Sequence, residues 1–222
     1  MKPQVLRTMF GESREASSRV RRAHVSRTRA EASRDFFNMR EQHQDTKVTF
    51  AGSLLLAHPS LREPTFRHTV VLMSVHNAEG AMGVVLNRPT GKRLGEFSGD
   101  FALGPLASVP LFTGGPVQTE QLVLAAWQAR PDGFRLHFGV EPEKAIQLLT
   151  EEGTHVRAFL GYSGWSAGQL ENEMKHHTWV VADVPEDLLT QAQDDTLWRT
   201  VLGREGAEWR LLAEEPEEPE RN

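Results

Sequence analysis

The sequence predicts an α/β (α+β) domain, a mixed β-sheet packed by helices, on three observations. The aliphatic run Leu54-Leu55-Leu56 is continuous rather than alternating, which suits a strand covered on both faces. A second apolar, β-branched run is joined to a third by only a short turn, the mark of an antiparallel hairpin. Helical patterns gather in the second half of the chain, where they would cover the sheet.

Order begins near Val48. Gly52 to Ala57 reads as the first strand, stopped by His58-Pro59. Thr69 to Val75 is the second. The turn Asn77-Ala78-Glu79-Gly80 leads to the third, Ala81 to Asn87, which Pro89 ends. Residues 90–109 read as irregular chain with a short helix near Leu94. Pro110-Leu111-Phe112 runs into the tight turn Gly114-Gly115-Pro116. Gln121 to Trp127 is a strand, and Phe134 to Phe138 alternates as a half-exposed strand does. Glu141 to Glu151 is a helix with Pro142 in its first turn and Ala145, Leu148 and Leu149 on one face. Val156 to Tyr162 is a strand, Ala167 to His176 a helix and Thr178 to Ala182 a strand. Pro185 to Thr190 and Thr196 to Leu202 read as closing helices, and no internal repeat is present.

A chain of 222 residues with 39% hydrophobic and 25% charged residues can bury a full core. It has no cysteine, which removes disulfides, thiol nucleophiles and thiolate zinc sites and is compatible with the cytoplasm, the expected location. No apolar run reaches the length of a membrane span, and no apolar h-region follows the basic N-terminal residues.

Residues 1–46 carry ten Lys/Arg against six Asp/Glu, so a net charge of -5 leaves -9 on the rest. This divides the chain into a basic leader (1–46), a globular domain (47–213) and an acidic, proline-broken tail (214–222). The leader has too little apolar content to offset its ordering entropy. It reads as a disordered segment, as a mis-assigned start upstream of Met39, or as a basic arm for nucleic acid. The acidic core itself disfavours nucleic acid.

The densest candidate segment is Leu160-Gly161-Tyr162-Ser163-Gly164-Trp165-Ser166-Ala167-Gly168-Gln169-Leu170-Glu171. It reads as a strand ending in a glycine turn that opens a helix. Ser166 and Gln169 make a capping box, and Trp165 and Leu170 a hydrophobic staple. Gly168 in the first helical turn suggests close approach by another backbone or by a ligand. Ser163 has the strand–Ser–helix layout of a nucleophile elbow, but Trp165 stands where Gly-x-Ser-x-Gly needs its last glycine. The histidines lack metal-ligand spacing, and no glycine run makes a phosphate loop, so neither metal nor cofactor is expected. Arg88, in Asn87-Arg88-Pro89, could hold a carboxylate or phosphate in its planar fork, or pair with a structural acid.

Three motifs resemble the AlgH/YqgE family of bacterial proteins: His76-Asn77-x-x-Gly80-Ala81-Met82-Gly83-x-x-Leu86-Asn87-Arg88-Pro89, Gly114-Gly115-Pro116-Val117, and the Leu160–Glu173 segment. With the entry segment Pro59-x-Leu61-x-x-Pro64-x-Phe66, the resemblance runs from about Thr49 to Leu212. It implies a compact domain with a mixed, partly barrel-like sheet and, through the family's name, a regulatory role; it implies no catalytic residues. The family's Arg-Gly-Phe-Val-Leu-His stretch is replaced here by Gln121 to Ala126, so any ligand role of that Arg is lost.

The expected function is therefore a non-catalytic regulatory or ligand-binding protein. Asn87, Arg88, Gly114, Gly115, Gly161, Trp165, Gln169 and Glu171 would line one pocket for a small polar or anionic ligand. The alternatives are a hydrolase or transferase using Ser163 and a nucleic-acid adaptor acting through the leader.

Overall fold

The computed structural model describes residues 49–130, 133–188 and 193–214. The leader and most of the acidic tail lie outside the described residues, as do the expectations placed on them. The strands are β1 (Leu54–Ala57), β2 (Val70–Asn77), β3 (Gly80–Val85), β4 (Pro89–Arg93), β5 (Pro110–Thr113), β6 (Val117–Arg130), β7 (Gly133–Phe138), β8 (Thr154–Ser166) and β9 (Trp179–Ala182). The helices are α1 (Leu94–Phe97), α2 (Pro142–Leu149), α3 (Gln169–Lys175), α4 (Asp195–Leu202) and α5 (Ala207–Glu214).

The sheet is mixed and curls into a half-barrel. Its order is β4-β5-β8-β3-β2-β1-β9, with β6 also on β8 and β7 on β6. Strand β8 is the spine. Residues 154–160 pair antiparallel with β6, 158–160 pair parallel with β5, and 163–166 pair antiparallel with β3. The β5–β8 ladder is the parallel one; the other described pairings are antiparallel.

Both faces are covered, which is why the central strands read as unbroken apolar runs. With a period of two, Leu54 and Leu56, Val70 and Leu72, and Val84 and Leu86 point into the curl. There they meet Phe112, Val123, Trp127 and Phe159, and α4 closes the space with Leu197, Trp198, Val201 and Leu202. Leu55, Val71, Met73 and Val85 point outward beneath α3 and the entry segment. Leu122, Leu124, Ala126 and Ala158 pack under α1 and α2. Trp198 seats α4: it is 1% exposed, and its Nε1–H donates to the Ala57 carbonyl at 2.8 Å.

Three expectations are corrected. The third strand ends at Val85, and Pro89 begins β4, an exposed edge strand whose polar sequence hid it. Residues 185–188 make a turn, not a helix, and a further helix, α5, follows α4. Most consequentially, the strand read as Val156 to Tyr162 runs to Ser166, so Gly161 and Gly164 lie within a strand and form no turn.

Candidate functional site

The eight expected site residues fall into two groups rather than one surface. The first surrounds the point where β8 changes partners. Val85 N–H donates to the Gly114 carbonyl, Thr113 N–H to that of Arg88, and Gly114 N–H to that of Leu160. A Cβ on Gly114 would come 2.3 Å from the Gly161 oxygen, and one on Gly115 2.3 Å from the Tyr162 carbonyl carbon. Gly161 has φ +68°, and the β6–β8 register slips between Val117 and Leu122. These glycines let backbone meet backbone where the spine bends.

Asn87 is fully buried in the same region. Its Oδ1 accepts from Val70 N–H at 2.9 Å, and its Nδ2 donates to the His68 carbonyl at 2.8 Å. It continues the ladder by side chain where β3 leaves β2. Arg88 is half-buried and donates through Nη2 to the Arg67 carbonyl at 2.6 Å.

The second group lies at the other end of β2. Val70 marks the Asn87 end, and His76 the other. Six residue steps along the strand separate them, about 20 Å at ~3.3 Å each. Phe50 N–H donates to His76 Nδ1, so the ring proton sits on Nε2, which faces Glu171 Oε1 at 3.2 Å. Glu173 Oε2 accepts from the indoles of Trp165 (2.8 Å) and Trp179 (2.7 Å), while Gln169 donates to its Oε1. Phe66 packs on both indoles, with ring centroids 6.4 and 5.5 Å away. This clamp holds α3 on the sheet.

The capping expectation is corrected in detail. Gly168, at φ +76°, is the residue that begins α3, and a Cβ added there would meet nothing within 4 Å. Its glycine answers a left-handed backbone, with no close neighbour behind it. Gln169 Oε1 reaches back to accept from Ser166 N–H and Oγ–H. The staple does form, since Trp165 and Leu170 share one buried cluster.

Ser163 sits inside β8, fully buried, with its hydroxyl donating to the Gly114 carbonyl at 3.3 Å. The elbow is absent and the hydroxyl faces no solvent. Among the described residues no group of three or more His, Asp or Glu could hold a metal ion.

Sequence reasoning missed Arg157. Among the described residues that are buried, it alone carries a charge. Its place follows from register: Ala125 pairs with Arg157, Val123 with Phe159 and Trp127 with His155, so all six share the inner face of the curl. Along that face of β8, Phe159 is fully buried, Arg157 is 9% exposed and His155 is exposed. The guanidinium lies 5.0 Å from the Phe112 ring centroid and 5.2 Å from that of Trp127. Arg157 Nη1 and Trp127 Nε1 are both buried without a hydrogen-bond partner. Burial pushes the guanidinium down to about 10, with no carboxylate contributing, so it stays protonated at neutral pH. The available signal was a lone Arg inside the apolar run Val156-Arg157-Ala158-Phe159.

The fold and its interior define a class: an α+β half-barrel whose aromatic lining encloses a guanidinium with an unpartnered N–H. The DUF179 (AlgH-like) family model matches residues 54–210, and the chain belongs to that family. It is 38% identical over 200 residues to a UPF0301 protein of Nocardia farcinica, covering 82% of this chain and 90% of the relative. It is 39% identical over 189 residues to a UPF0301 protein of Mycobacteroides abscessus, covering 78% and 88%. Among solved structures it resembles the AlgH protein of Pseudomonas aeruginosa, with a TM-score of 0.57 and 25% identity over 80% of this chain and all of that one. Protein DIP2367 of Corynebacterium diphtheriae shares the fold, with a TM-score of 0.60 and 23% identity over 80% and 96%. No helix among the described residues is long and apolar enough to cross a membrane.

Proposed function

We propose that this protein is a non-catalytic, cytoplasmic binding protein with a regulatory role, and that its ligand is a small polar or anionic molecule. One observation carries the reading: a buried guanidinium with an unpartnered N–H, held between two aromatic rings. Removing one charge from water costs several kcal/mol unless a partner compensates, and an anion does so. No equally prepared reactive group accompanies it among the described residues, since the serine that resembled a nucleophile is enclosed and bonded to a backbone carbonyl. A regulatory effect would then follow ligand occupancy rather than direct contact with nucleic acid by the acidic core.

The test is a thermal-unfolding titration with sodium phosphate, sulfate and acetate at constant ionic strength. Binding to the folded state raises the melting temperature saturably, and the Arg157→Met chain shows no such rise. Equal responses in both chains would refute the reading.

A further inference from the structure

From the two unpartnered donors and the lining around them, we infer that the interior site takes a monocarboxylate with an apolar body. The inference rests on the anion-binding reading above and adds the ligand class to it.

Arg157 Nη1–H and Trp127 Nε1–H are both donors, so the missing partner is an acceptor. They belong to neighbouring side chains, the guanidinium carbon lying 5.2 Å from the Trp127 ring centroid, and a carboxylate has two oxygens to offer two donors. Among the described residues the buried charge is a single guanidinium. A phosphate dianion would bring a second negative charge into an aromatic interior where the described residues bury no second cation to meet it, whereas a carboxylate is neutralised one to one. The walls are apolar: Phe112 and Phe159 are buried beside the guanidinium, and Phe134, Leu136 and Phe138 of β7 are half-buried against the same core. Among the described strands β7 pairs with β6 and no other, so those three side chains lie on the last described strand at this side of the curl, where the body of a ligand would lie. An alkyl or aryl group there gains affinity with each methylene it buries.

The experiment follows the Trp127 indole N–H in ¹H–¹⁵N spectra of the full-length protein, assigned by its loss in Trp127→Phe. The probes are sodium phosphate, acetate, hexanoate and benzoate at constant ionic strength. The expected result is a saturable shift of the Trp127 indole with hexanoate and benzoate. Hexanoate should bind more tightly than acetate by on the order of tenfold or more. Arg157→Met, shown folded by the dispersion of its other indole signals, should lose the shift. If phosphate binds more tightly than hexanoate, or if acetate and hexanoate bind equally, anion binding stands and the apolar-carboxylate class is overturned. If no probe gives a saturable shift in the unaltered chain, both readings fall. A shift that persists in Arg157→Met overturns Arg157 as the recognising group.

Discussion

Replacing Arg157 by Met should make the unliganded protein more stable. The substitution deletes a buried charge and keeps an unbranched apolar stem of similar reach. Burial lowers the guanidinium from its ordinary value to about 10, and at about 1.4 kcal/mol for each tenfold weakening of proton binding this costs roughly 3 kcal/mol. Two ring contacts offset part of it, at about 0.5–1 kcal/mol each. The net expectation is a gain of about 1–2 kcal/mol, or roughly 2–8 °C in melting temperature. The sign with pH follows from the direction of the shift. The folded-state value is depressed, so the unfolded chain holds the proton more tightly from about 10 up to the ordinary guanidinium value. The penalty is fully present below about 10 and fades as pH rises through that window. Urea unfolding of both chains at pH 7, compared by midpoint and slope, measures the gain. A loss of more than about 1 kcal/mol in Arg157→Met would show that the folded chain already satisfies the guanidinium, leaving no need for an anion.

Three further predictions test the scaffold. Glu173→Ala strands two indole N–H groups and should cost about 2–4 kcal/mol, with loss of near-ultraviolet circular dichroism from Trp165 and Trp179; an unchanged spectrum would contradict the clamp. Gly115→Ala drives a methyl into the Tyr162 backbone and should cost about 3 kcal/mol or more, whereas Gly91→Ala, with φ +74° and open space around it, should cost only about 1–2 kcal/mol; denaturant midpoints rank the pair. His58 is lowered by burial and then by His177, so the unfolded chain takes up its proton first and stability should fall as pH drops below 6.5. His58→Gln should flatten that part of the profile, and an unaltered profile would assign the loss elsewhere.

Some of this was legible in the chain because it is local. Continuous aliphatic runs announced strands covered on both faces, and Leu55 and Leu56 do point to opposite cores. The short turn at Asn77 announced the β2–β3 hairpin, and Trp165 with Leu170 announced the staple. The three familiar motifs identified the family, which the match over residues 54–210 establishes. The polar strand β4 escaped because an exposed edge carries no apolar period to read.

What the chain alone determined was most of the apolar strands and the helices with a clear apolar face, since backbone preference and apolar period act within a few residues. Only the tertiary structure decided what those segments face. Gly161 looked like the end of a strand but is the bend of its spine, because β5, β6 and β3 take successive lengths of β8. Arg157 looked like one charge among many. The register with Ala125 turns it inward between Phe112 and Trp127, and register is set by partners distant in sequence.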